Sequence, residues 1–192
     1  RVRDITNAKK ILEIGVSQGL SSSIQLEVFS EASLVGYDVT FTNWWHDVVK
    51  RNKKNTFLKH FGWPGGTKDK NSFDGPKSTD LLKVLYGDRF TFKKQKSREV
   101  IINHDVGDFD MAFIDGDHTY EGVNLDIVNC KKLRIPYLII DNILSHPDAI
   151  MRAIGEHFEL ELIDELIYSQ VYPITNEIIK DSLGFYKVNY NV

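Results

Sequence analysis

The sequence is poor in cysteine: Cys130 is the only one. No intrachain disulfide can form, so a reducing compartment, and with it a cytoplasmic location, is the expectation. No apolar run approaches the ~18 residues that a membrane helix requires, so no membrane partner is expected. A basic surplus is missing too. The 24 Lys and Arg are outnumbered by 27 Asp and Glu, for a formal net charge of −3. That balance argues against duplex nucleic acid as the main partner. The lysine-rich stretches Lys50–Lys59 and Lys93–Lys96 are either local patches or solvated faces. There is no internal repeat and no low-complexity tract. The first residue is Arg1 rather than Met, and strand-like sequence begins within ten residues, so a natural start is expected to lie ahead of it.

What is present is globular. A chain of 192 residues with 42% hydrophobic and 27% charged residues reads as a single domain, 1–192, with a full core. Lys10 to Ile14 reads as a buried strand, Gly15 to Gly19 as a turn, and Ser21 as the N-cap of a helix reaching about Phe29. Leu34 to Tyr37 then reads as a second strand ending at Asp38, which completes a βαβ unit. A short helix is expected near 44–51, followed by a lid-like insertion at about 53–80; helical periodicity returns at 79–86. Strands are expected at Phe90–Lys93, Asp110–Ile114 and Tyr137–Ile140. Helices are expected at Ser97–Ile102, Tyr120–Lys132 and Pro147–Phe158, and two final strands at Leu160–Tyr168 and Leu183–Asn189. Alternating strands and helices predict an α/β, Rossmann-like, doubly wound and mostly parallel sheet. Such sheets bind ligands beyond the carboxyl ends of their strands.

Two short apolar runs stop abruptly at acids. Met111–Ile114 leads into Asp115-Gly116-Asp117-His118-Thr119-Tyr120, and Tyr137–Ile140 leads into Asp141-Asn142. Strands of this kind are buried and parallel, which places Asp115, Asp141 and Asn142 on one rim. Hard oxygen ligands converging there suit Mg²⁺ or Mn²⁺; the alternative is a strand-ending turn, which Asp and Asn both favour. His118 is either a base that titrates near neutral pH or a residue that orients a ligand or caps the next helix. Asp117 contacts a cofactor or caps the same helix. His146, in the loop after Asn142, is a candidate substrate contact. The spacing Gly15-x-x-x-Gly19 is not the G-x-G-x-x-G of dinucleotide-binding folds, which counts against a nicotinamide or flavin. Asp38, 23 residues after Gly15, either accepts the ribose hydroxyls of a nucleoside-like ligand or caps a helix. Trp44 and Trp45 either cover an adenine or pack in the core.

These motifs resemble those of class I S-adenosylmethionine-dependent methyltransferases. Glu13-Ile14-Gly15-x-x-x-Gly19-x-Ser21 is similar to motif I of the cation-dependent O-methyltransferases. The resemblance implies that Glu13, Gly15, Ser17, Gly19 and Ser21 cradle S-adenosyl-L-methionine and that Asp38 binds its ribose. Phe113 to Val123 is similar to the "IDGDHSYEGV" signature of a family of small-molecule and sugar methyltransferases. The likeness spans about 10–145. It implies Asp115 and Asp117 beside the cofactor, and Asp115, Asp141 and Asn142 as ligands of Mg²⁺ or Mn²⁺. It also implies His118 as the base, a hydroxyl of a small molecule or sugar as the acceptor, and a seventh, antiparallel strand near the C-terminus. Where relatives often show Gly-Asp-Ser, this chain reads Gln95-Lys96-Ser97.

Overall fold

Short runs of branched and aromatic residues dominate the centre of the fold, and each forms a strand because both of its faces are covered. The structure is a computed structural model and describes residues 1–17, 19–39, 78–171 and 178–190. Lys10–Ile14 (β1), Ser33–Tyr37 (β2), Phe90–Lys93 (β3), Met111–Ile114 (β4) and Tyr137–Ile140 (β5) run parallel. Ile178–Val188 (β7) runs antiparallel to β5, and Leu160–Val171 (β6) pairs with β7 at the edge. The seven strands lie in the order β3-β2-β1-β4-β5-β7-β6. The sheet is therefore the doubly wound one the alternation predicts.

Strand alternation divides the core into two layers. Ile11, Leu34 and Met111 face Leu20–Val28 (α2) and Ser78–Tyr86 (α3), and pack with Leu26, Phe29 and Leu82. Leu12, Ile14, Ala112, Ile114, Leu138 and Ile140 face the other way. They pack with Val123, Ile127 and Cys130 of Tyr120–Lys132 (α5) and with Ile150 and Ala153 of Pro147–Gly155 (α6). Each fully buried aliphatic side chain contributes roughly 1.5–3 kcal/mol. Two small α-helices, Val2–Thr6 (α1), which the sequence did not lead one to expect, and Val100–Asn103 (α4), and two single 3-10 turns at Gly87–Arg89 and Ser97–Glu99 complete the described elements.

Boundaries moved where local signals compete. The cap expected at Ser21 falls at Gly19, whose φ of +78° only glycine adopts cheaply. Ser21 lies inside α2 instead, with its hydroxyl turned to a carboxylate. Both final strands are longer than their apolar cores suggest, because the hairpin carries polar residues on its own ladder. The helix expected near 44–51, including Trp44 and Trp45, lies outside the described residues. So does the expected insertion up to residue 77.

Candidate active site

Four strands end side by side, and the residue after each lies at the same edge of the sheet. Gly15 follows β1, Asp38 follows β2, Asp115 follows β4 and Asp141 follows β5. Each is tethered to the neighbouring strand by its own N–H. Gly15 donates to Tyr37 O at 2.9 Å, Asp38 to Lys93 O at 3.2 Å, Asp115 to Ile14 O at 2.8 Å and Asp141 to Ile114 O at 3.1 Å. The ladder thus continues one residue beyond the strands and holds the site on rigid backbone. These residues line a cleft of about 1080 Å³ with Ser17, Ser97, Asp117, His118, His146 and Tyr168 among its walls.

On the β1 side the backbone closes in. Gly15 has φ +90°, and a Cβ built on it would lie 1.9 Å from the carbonyl oxygen of Asp115. No side chain fits there, so the loop leaves bare backbone facing the cleft at the point where the strand order reverses. Ser17, at φ +46°, gives its N–H to Oδ2 of Asp38 at 2.6 Å. That bond fixes the Asp38 carboxylate against the glycine turn.

On the β4–β5 side charge accumulates. Nε2 of His118 lies 3.2 Å from Oδ1 of Asp115, and the His118 and His146 rings stand 4.8 Å apart between centroids. Burial raises Asp115 above the ordinary carboxylate range, against the opposing pull of His118. The hydrogen bond to Asp115 raises His118 above the usual histidine value, against the lowering by burial. Burial, with the charge of Asp115 next, pushes Asp141 up to about 6. Oδ1 of Asp141 accepts from Asn142 N at 2.7 Å and from the Tyr168 hydroxyl at 2.8 Å. Asn142 is left-handed, with φ +61°. Its Nδ2 donates to Asp181 at 3.0 Å, while its Oδ1 is buried with no hydrogen-bond partner.

The model of a family described as "Methyltransferase domain" matches residues 12–140. The chain belongs to that family. Among curated proteins, none matches the sequence. Among solved structures, a Thermoplasma acidophilum protein proposed to be a methyltransferase superposes with a TM-score of 0.60 at 12% identity, covering 96% of this chain and 70% of its own. The cofactor-bound Rv0187 from MTB gives 0.59 at 16% identity, covering 98% and 77%. The SAH-bound Podospora anserina methyltransferase PaMTH1 gives 0.54 at 13% identity, covering 97% and 74%. At such identities these structures speak for the fold alone. By family and by fold, this chain is a methyltransferase.

The methyltransferase brings most of the residues singled out from its sequence to one place. Gly15, Ser17, Asp38, Asp115, Asp117, His118, Asp141, Asn142 and His146 all line the cleft. Glu13, Gly19 and Ser21 stand off its wall. Glu13 is wholly buried, and its two carboxylate oxygens accept from the Ser21 and Ser22 hydroxyls. Alternation explains this: Glu13 shares the face of Ile11 and so points beneath α2. Gly19 presses against Leu82. Asp117 accepts from Thr119 N at 3.0 Å, and Thr119, not Asp117, caps α5 by accepting from Gly122 N at 3.1 Å. Tyr168 and Asp181 also line the cleft, and motif reading missed both. Their only signal in the sequence is a polar residue at a strand position, which points nowhere until register is known.

Among the described residues, no helix is long and apolar enough to cross a membrane.

Proposed function

We propose that this methyltransferase transfers the methyl group of S-adenosyl-L-methionine to a hydroxyl oxygen of a small molecule or sugar, with a divalent cation, Mg²⁺ or Mn²⁺, at the acceptor end of the cleft. The observation that carries the reading is the meeting of Asp115, Asp141 and Asn142 at neighbouring strand ends, with a buried Asn142 Oδ1 that has no hydrogen-bond partner. A buried amide oxygen without a partner costs roughly 1–3 kcal/mol. Beside the carboxylates of Asp115 and Asp141 it suits a hard cation, and the residues fit the group on that ground.

Asp115, Asp141 and Asn142 would hold the cation, which when bound lowers the pKa of an acceptor hydroxyl. The other steps belong to the chain. The bare turn at Gly15 and the Ser17-braced Asp38 carboxylate bind the cofactor, the latter through the ribose hydroxyls. With Nε2 of His118 donating to Asp115, Nδ1 keeps its lone pair for the acceptor proton. General-base catalysis of this kind contributes about 10²–10⁴-fold, and alignment of oxygen with sulfonium methyl supplies much of the rest. His146, beside His118, orients the acceptor.

A metal-free reading has the contact of His118 Nε2 with Asp115 Oδ1, at 3.2 Å, in its favour. The Asp115–His118 pair would then act alone as the base. Chelation separates the two. Turnover that stops in EDTA and returns with Mg²⁺ or Mn²⁺ is expected; full turnover by the chelated protein sinks the metal role.

A further inference from the structure

The C-terminal hairpin outruns the sheet. β7 pairs with β5 only from Gly184 to Lys187, whereas β6 and β7 stay paired out to Val171 and Ile178. The surplus is a two-stranded ribbon that reaches past the strand ends carrying Asp115 and Asp141. Tyr168 and Asp181 are directly opposite each other on it, so their side chains share one face. That face is the one towards the cleft.

Each of the two grips one residue at the end of β5. The Tyr168 hydroxyl donates to Oδ1 of Asp141 at 2.8 Å, leaving Oδ2 for another partner. Oδ2 of Asp181 accepts from Nδ2 of Asn142 at 3.0 Å. Its Oδ1 accepts from the N–H groups of Leu144, Ser145 and Ser182 at 3.1, 3.3 and 2.8 Å. Asp181 is fully buried, so those four donors, not water, satisfy it. The chemistry of this contact is one-sided. A carboxylate only accepts, so it can face only the NH₂ end of an amide. With Nδ2 spent on Asp181, Asn142 must turn Oδ1 away from the ribbon, and that is the oxygen with no partner.

We propose that the cross-strand pair Tyr168–Asp181 is a positioning clamp that presents one oxygen each of Asp141 and Asn142 to a divalent cation. The inference rests on the metal reading above. Neither residue touches the cation; both act through their β5 partners. Losing an outer-shell partner of this kind typically weakens metal affinity about 10–100-fold.

The test is Mn²⁺ binding to the full chain, followed by electron paramagnetic resonance of the free ion, with S-adenosylhomocysteine affinity as the control. The parent is expected to bind Mn²⁺. Tyr168→Phe should bind it about 10-fold more weakly and Asp181→Asn about 10–100-fold more weakly, both with cofactor affinity unchanged. The swap of Asn142→Asp with Asp181→Asn should regain most of the loss. The amide then donates from position 181, and position 142 offers an oxygen whichever way it turns. Packing alone predicts no such rescue, so a loss that the swap fails to restore overturns the clamp. Equal Mn²⁺ affinity in parent and single variants overturns the clamp and leaves the metal reading standing. A parent that takes up no Mn²⁺ overturns both. Should Asp181→Asn fail to fold, Tyr168→Phe decides, because it removes one hydroxyl from a half-buried ring.

Discussion

Gly15 and Asp115 meet backbone to backbone across the switch point of the sheet. A Cβ on Gly15 would lie 1.9 Å from the Asp115 carbonyl oxygen, on a residue whose φ is +90°. Gly15→Ala must therefore move β1 from β4 and is expected to cost upwards of about 2 kcal/mol in denaturant unfolding, with loss of cofactor binding. Gly87 is the internal control. It has φ +58° but nothing within 4 Å of its would-be Cβ, so Gly87→Ala should cost only the left-handed backbone term of roughly 1–2 kcal/mol. Equal destabilisation at the two sites would show that the Gly15–Asp115 contact is not what demands glycine.

Asp38 carries the prediction for the cofactor. S-adenosylhomocysteine should raise the melting temperature by mass action. Asp38→Ala removes a carboxylate that Ser17 N already orients and should weaken binding by about 1.5–3 kcal/mol, measured by calorimetry. Unchanged affinity would remove the ribose assignment.

His118 carries a prediction about pH. Its hydrogen bond to Asp115 favours the imidazolium, so its folded pKa lies above the ordinary 6.5. The stability this pair contributes is fully present below about pH 6.5 and is lost as pH rises through the folded value. In metal-free protein, NMR titration of His118 should give a midpoint above 6.5, and Asp115→Asn should bring it down. His118→Ala should lower kcat strongly and leave cofactor affinity almost unchanged. A variant with parental rate and pH profile would make His118 structural.

Glu13 predicts a stability profile of its own. Burial raises its pKa to about 8, against the Ser21 and Ser22 hydroxyls, which lower it. Between about 4.5 and 8 the folded state then holds a proton that the unfolded state has released. Stability should fall as pH rises through that window, by at most about 1.4 kcal/mol per pH unit from this group. Glu13→Gln should flatten the fall in urea midpoints measured across it. An unchanged slope would mean that Glu13 is not the group responsible.

Local sequence was legible wherever one signal dominated. The strand at Phe90–Lys93 lies where its alternation predicts, and the apolar runs that stop at Asp115 and Asp141 end as strands at one edge. Competing signals hid the rest. A serine before a helix reads as a cap, yet Ser21 lies two residues beyond the cap position at Gly19 and a buried carboxylate claims its hydroxyl. Motif similarity likewise places Glu13 beside a ligand, while the period of two along β1 turns it beneath α2.

By itself, then, the sequence determined the class of fold and the strand-end acids, because apolar periodicity and abrupt polar stops are local properties. Which of those acids face a common cleft was decided by parallel register, which sets Gly15, Asp115 and Asp141 side by side through single backbone hydrogen bonds. The roles of Tyr168 and Asp181 were decided only in three dimensions. They stand 27 and 39 positions from their partners, and nothing local links a tyrosine on the edge strand to an aspartate at the end of a strand inside the sheet. The hairpin must pair, and outrun the sheet, before either hydrogen bond can exist.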